Sequence, residues 1–111
     1  MSVAVVEQAH PAVGELRLSK VLAALADPGR LATVRALAQQ GESACTRLQE
    51  EAGLEISRST FSHHQKVLRE AGILQARVQG AERILSLRRE DLNGRFPGLL
   101  DAVLDAADEH L

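Results

Sequence analysis

Hydrophobic positions along the chain recur at helical spacing, with one stretch near residue 80 where they alternate instead. Leu18, Val21, Leu22 and Leu25 stand at i, i+3, i+4 and i+7, which predicts an amphipathic helix from about Glu15 to Ala26. Asp27-Pro28 restarts the chain, with Asp as N-cap and Pro at the first helical position. The second helix turns Leu31, Val34, Leu37 and Ala38 inward and stops at Gly41. Ser43 can cap a short third helix that ends near Gly53 and turns Cys45, Leu48 and Ala52 inward. After the turn Gly53-Leu54-Glu55-Ile56, a fourth helix is marked at both ends, by Ser57 as N-cap and by Gly72 as left-handed terminator. Ile56 and Phe61 have the spacing of a hydrophobic staple at its entry. Leu74, Ala76 and Val78, then Leu85 and Leu87, alternate with polar residues around Gly80-Ala81, which predicts a β-hairpin. A final helical stripe runs through Phe96, Leu99, Leu100, Val103, Leu104, Ala107 and Leu111. Val3 to Gly14 has no clear period. The expected architecture is mostly α with a small β-hairpin, in the order α-α-α-α-β-β-α over residues 14–111, behind a flexible arm at residues 1–13.

Wound at 3.6 residues per turn, the fourth helix separates into two faces. Phe61, Leu68 and Ala71, with His64 and Gln65 beside them, fall on one side. Ser59, Ser62, His63 and Lys66 fall on the other, flanked by Arg58 and Arg69, with no acidic residue before Glu70. Such a face suits a DNA major groove, where short polar side chains meet base edges and cations meet phosphates. An ordinary solvated helix face has the same composition, so the flanking elements matter. The third and fourth helices, joined by a Gly-containing turn, have the pattern of a helix-turn-helix. The hairpin directly after them carries Arg77 and Arg83 near its tip, where a wing touches the sugar-phosphate backbone. The hairpin could also simply cover the core, or do both.

Composition narrows the picture. The chain has 111 residues, 45% hydrophobic and 25% charged, which is one domain of ordinary globular composition. Its only aromatics are Phe61 and Phe96, so the core must be aliphatic, and stacking on single-stranded nucleic acid is disfavoured. The single cysteine, Cys45, excludes an internal disulfide and fits a reducing, cytoplasmic setting. Met1 to Val13 lacks the basic start and apolar run of a secretory signal, and no stretch is long enough to span a membrane. The net charge of −2 hides an asymmetry: residues 56–89 carry seven Lys/Arg and two Asp/Glu, whereas residues 90–111 carry one Arg and six acids. The positive block coincides with the fourth helix and hairpin, an electrostatic footprint for a polyanion. No nucleophile–base order, phosphate-binding Gly loop or zinc motif points to an enzyme.

Leu25-Ala-Asp-Pro-Gly-Arg-Leu31, followed by Ser59-Thr-Phe-Ser-His-His-Gln-Lys-Val-Leu-Arg-Glu-Ala-Gly-Ile73, resembles the arsenic-repressor-type (ArsR) winged helix-turn-helix regulators over roughly Leu18 to Ala107. The resemblance implies a transcriptional regulator, a homodimer on double-stranded operator DNA that a metal ion or another signal releases. It maps Ser59, Ser62, His63 and Lys66 to groove-facing positions. Gln65 departs from the pattern, which usually has an apolar residue there. The two terminal apolar stripes supply the expected dimer interface: Leu18, Val21, Leu22 and Leu25 with Phe96, Leu100, Val103 and Leu104. The dyad of such a dimer implies a palindromic operator.

Metal-binding relatives carry two cysteines around a valine in the third helix. Here the run is Ala44-Cys45-Thr46, and both ligand positions are lost. A second family site maps to Arg89, Asp91, Ala102 and Asp105, which includes no imidazole. No metal and no cofactor are therefore expected, and the effector is left open. Cys45 is a possible thiol sensor, favoured by its place in a helix's first turn and by Arg47 nearby. It shares a face with Leu48 and Ala52, and free Cys is among the most buried residue types, which favours a place in the core over a sensor. An alternative for the whole chain is a helical protein-interaction module that kept the fold without specific DNA binding.

Overall fold

The computed structural model describes residues 5–6 and 10–110. A single 3-10 turn at Val13–Glu15 leads into α1 (Leu18–Leu25), and α2 (Pro28–Gln40) follows almost at once. The restart at Asp27-Pro28 is as expected: the Asp27 side chain accepts a hydrogen bond from the Arg30 backbone N–H at 3.0 Å. Gly41, at φ +81°, ends α2.

Ser43 does not cap the next helix. Ser43–Ala44 form a short strand, β2, so the Ser43 backbone belongs to a sheet and its hydroxyl donates to Glu51 Oε2 at 2.8 Å. Helix α3 (Cys45–Glu51) therefore starts from Ala44. The turn into α4 (Arg58–Glu70) is pinned by Gln49, whose amide donates to the Ile56 carbonyl at 2.7 Å and the Leu54 carbonyl at 3.4 Å.

Strands β3 (Leu74–Gln79) and β4 (Glu82–Leu87) form the hairpin, in register from Leu74↔Leu87 to Gln79↔Glu82. Gly80 takes φ +62° in its two-residue turn, as the first central position of such a loop demands. Strand β2 pairs with β4, and Val5–Val6 (β1) pair antiparallel with β3, giving the sheet order β1-β3-β4-β2. Of the segment read as an arm, residues 1–4 and 7–9 lie outside the described residues, while His10 Nε2 accepts from the Ala76 N–H at 3.2 Å. Two helices close the chain, α5 (Arg89–Arg95) and α6 (Leu99–His110). No hydrophobic period marks α5 in the sequence. It is seven residues long and buries only Leu92, too little to make a visible stripe.

The core is aliphatic: Val34, Leu48, Leu68, Ile73, Leu74 and Leu85 are fully buried. Phe61 of α4 joins it at 3% exposure. This packing divides the residues expected at a subunit interface. Val21, Leu25, Leu100 and Leu104 are buried within the protomer, and their apolar surface is already used there. Leu18 and Leu22 are exposed at 46% and 44%, and Phe96 and Val103 are half-buried. Leu111, the last residue of the expected stripe, lies outside the described residues.

Candidate nucleic-acid interface

Helix α4 is fixed at its start by Ser57, whose Oγ accepts from the Thr60 N–H at 3.1 Å and donates to Thr60 Oγ1 at 2.8 Å. Phe61, His64, Gln65 and Leu68 are buried on its inner face. Arg58, Ser59, Ser62, His63 and Lys66 are exposed on the other side, so the structure brings the expected groove-facing residues together. Ser59 Oγ lies 3.2 Å from Ser57 Oγ and is partly engaged in the cap. Lys66 Nζ lies 4.0 Å from Glu70 Oε1, an exposed i,i+4 pair of the kind that a phosphate displaces at little cost.

The hairpin cations are less alike than their spacing suggests. Arg77 is half-buried, and its guanidinium forks the Glu42 carboxylate at 2.6 and 2.7 Å. The hydrogen bonds from Arg77 hold the Glu42 carboxyl below its ordinary value, and Glu42 raises Arg77 in turn. Arg77, expected at the DNA, is thus engaged with Glu42 through Nη1 and Nη2. Arg69 and Arg83 are half-buried, and both have interactions within the chain.

Between α3 and α4 lies a groove of about 400 Å³, lined by Cys45, Gln49, Ile56, Arg58, Ser62 and Gln65 among others. Cys45 is half-buried, and its Sγ donates to Gln65 Oε1 at 3.3 Å. The polar residue that departs from the family pattern is thus buried at 1% exposure and tied to the thiol. Among the described residues, no three His, Cys, Asp or Glu side chains converge to hold a metal ion. No helix among them is long and apolar enough to cross a membrane.

A polar cluster joins α4 to the corner between α1 and α2. His64 points inward from α4 at 9% exposure, while its neighbour His63 is exposed. His64 Nε2 lies 3.5 Å from Asp27 Oδ2, and its Nδ1 lies 3.4 Å from Arg30 Nη1. Arg30 Nε also donates to the Ala24 carbonyl at 2.7 Å, at the end of α1. The Asp27 carboxyl is held below its ordinary value, first by the hydrogen bond from the Arg30 backbone N–H, with the Arg30 guanidinium and the Gly29 N–H acting in the same direction. The available signal was a titratable side chain on the inner face of a helix, which needs a partner wherever it is buried.

Two helices joined by a pinned turn, with a hairpin beside the second, make the winged helix-turn-helix of transcriptional regulators. The family model for a helix-turn-helix domain matches residues 25–75. The uncharacterized HTH-type transcriptional regulator YceK of Bacillus subtilis (strain 168) is 34% identical over 86 residues, which cover 77% of this chain and 84% of that protein. Among solved structures, an ArsR family transcriptional regulator superposes with TM-score 0.61 at 24% identity, covering 83% of this chain and 87% of that one. A possible transcriptional regulator for arsenical resistance superposes with TM-score 0.60 at 29% identity, over 86% and 98% of the two chains. The chain belongs to the HTH-type transcriptional regulators, and its fold is that of the ArsR family regulator.

Proposed function

We propose that the chain is a repressor that binds a palindromic operator as a homodimer and leaves it in response to a small signal. The observation that carries this reading is the outer face of α4. Ser59, Ser62, His63 and Lys66 are exposed together, on a helix anchored from behind by Phe61 and Leu68. In this reading Ser59, Ser62, His63 and Lys66 meet base edges, and Arg58, Arg69 and Arg83 meet phosphates. The excess of cations over residues 56–89 supports it. The exposed Leu18 and Leu22, with Phe96 and Val103, supply the apolar surface for a second copy. The signal is read at Cys45, because an adduct there would enter the groove beside Ser62 and Arg58 and break the contact with Gln65. The site of action is the cytoplasm, where DNA and a reduced thiol coexist.

The test is selection of DNA duplexes from a random library by the purified protein. The expected result is enrichment of one palindrome with half-sites about one helical turn, ~34 Å, apart. Recovery of unenriched sequence would contradict the reading and leave an interaction module of the same fold.

A further inference from the structure

Buried histidines on aliphatic faces are costly unless their nitrogens are satisfied. At position 64 a leucine would pack beside Phe61 and Leu68 with no such demand, so the polar contacts need a reason of their own. Arg30 has only donors to offer. Its approach to Nδ1 at 3.4 Å therefore makes that nitrogen the acceptor and places the imidazole proton on Nε2, facing Asp27 Oδ2 at 3.5 Å. The two contacts use different nitrogens and lie on opposite edges of the ring, so together they limit rotation of His64 and of the helix that carries it. The fit is close: a Cβ on Gly29 would lie 3.1 Å from both Asp27 Oδ2 and His64 Nε2. Arg30 continues the connection through its bonds to the Ala24 and Ala23 carbonyls, at 2.7 and 3.5 Å, where α1 ends.

We propose that His64 is a positioning residue, clamped by Asp27 and Arg30, that sets the rotation of α4 about its own axis and so the aim of Ser62, His63 and Lys66 at DNA. The inference rests on the reading of α4 as the DNA-reading helix. Its geometric basis is leverage. A side-chain tip about 6 Å from the helix axis moves by about 1 Å for a ten-degree rotation. That displacement is enough to spoil a hydrogen bond to a base edge. To the packing of Phe61 and Leu68 the two polar contacts add a restraint with a direction, one on each ring nitrogen. The same clamp joins the corner between α1 and α2 to α4, so the exposed Leu18–Leu22 surface and the reading face are held in one frame.

The experiment uses the full chain, a duplex that the wild type enriches from a random library, and a scrambled duplex of the same length. The readouts are the ratio of the two affinities and the melting temperature. His64→Leu removes both contacts and keeps the volume apolar. Asp27→Ser keeps an N-cap for α2 but is too short to reach His64. Each is expected to lower the affinity ratio roughly 5- to 30-fold, the size of one lost polar contact. The double variant should lose no more than the worse single one, because both act through one contact. His64→Gln, whose amide can still face Asp27, should recover most of the ratio, which a purely structural role would not require. Unchanged ratios in both single variants would overturn the clamp and leave DNA reading intact, and so would a double variant that loses the product of the two single losses. A wild type that enriches no duplex would overturn the reading of α4 and the clamp with it.

Discussion

At Gly72 the chain leaves α4 with φ +84°, and a Cβ there would overlap Leu16 Cδ2. Both the backbone and the space require glycine, so Gly72→Ala should cost about 2–4 kcal/mol in chemical denaturation, from positive φ plus overpacking. A loss under about 0.5 kcal/mol, the range of an ordinary surface change, would show that neither constraint holds. Asp27 makes a prediction about acid. Its carboxyl is depressed below the ordinary 3.8 by the Arg30 N–H first, with the Arg30 guanidinium adding to it. A depressed carboxylate adds stability that is present in full above its ordinary value and is lost as pH falls through the folded value. Asp27→Asn should therefore be less stable than wild type at neutral pH, with the gap closing below about pH 4. Thermal melts across that range check it, and a gap that widens in acid would reverse the assignment.

The elements differ in how far they could be read in advance. Helices α2 and α4 were legible because each carries its own punctuation, Asp27-Pro28 and Gly41 for one, Ser57 and Gly72 for the other. The hairpin was legible from alternation and from Gly80. Strands β1 and β2 were not, since two residues have no period and exist only by pairing with β3 and β4. Ser43 fits a cap and a strand equally well until β4 claims its backbone. The outer face of α4 was readable because one helix supplies all of it. The contact of His64 with Arg30 spans 34 residues of chain, and no periodicity reports such a meeting. Between α3 and α4, the Cys45–Gln65 hydrogen bond turns the thiol into a link between two elements. A thiol-blocking reagent is expected to release DNA from wild type and to leave Cys45→Ser bound, by gel shift. Equal responses would make Cys45 part of the core and nothing more.

For the whole molecule, the periodicity of α1 and α6 showed apolar stripes but could not say how much of each the protomer uses itself. Val21, Leu25, Leu100 and Leu104 are used within it, and Leu18 and Leu22 are left outside. Leu22→Glu should therefore dissociate a dimer while leaving the protomer folded, as sedimentation and circular dichroism would show. An unchanged sedimentation coefficient would remove α1 from the interface. Charge is also arranged at this scale, with the cationic block on α4 and the hairpin and the acids in the last stretch of chain. Affinity from phosphates and preference from bases should then separate by element. The most direct measurement is fluorescence anisotropy with the selected duplex and its scrambled form at several salt concentrations. Ser62→Ala and His63→Ala should each lose ~1–3 kcal/mol on the selected duplex and little on the scrambled one. Arg83→Ala should weaken both alike and flatten the salt dependence by about one ion. If Arg83→Ala abolished sequence preference while Ser62→Ala and His63→Ala kept it, α4 would not be the element that reads the DNA.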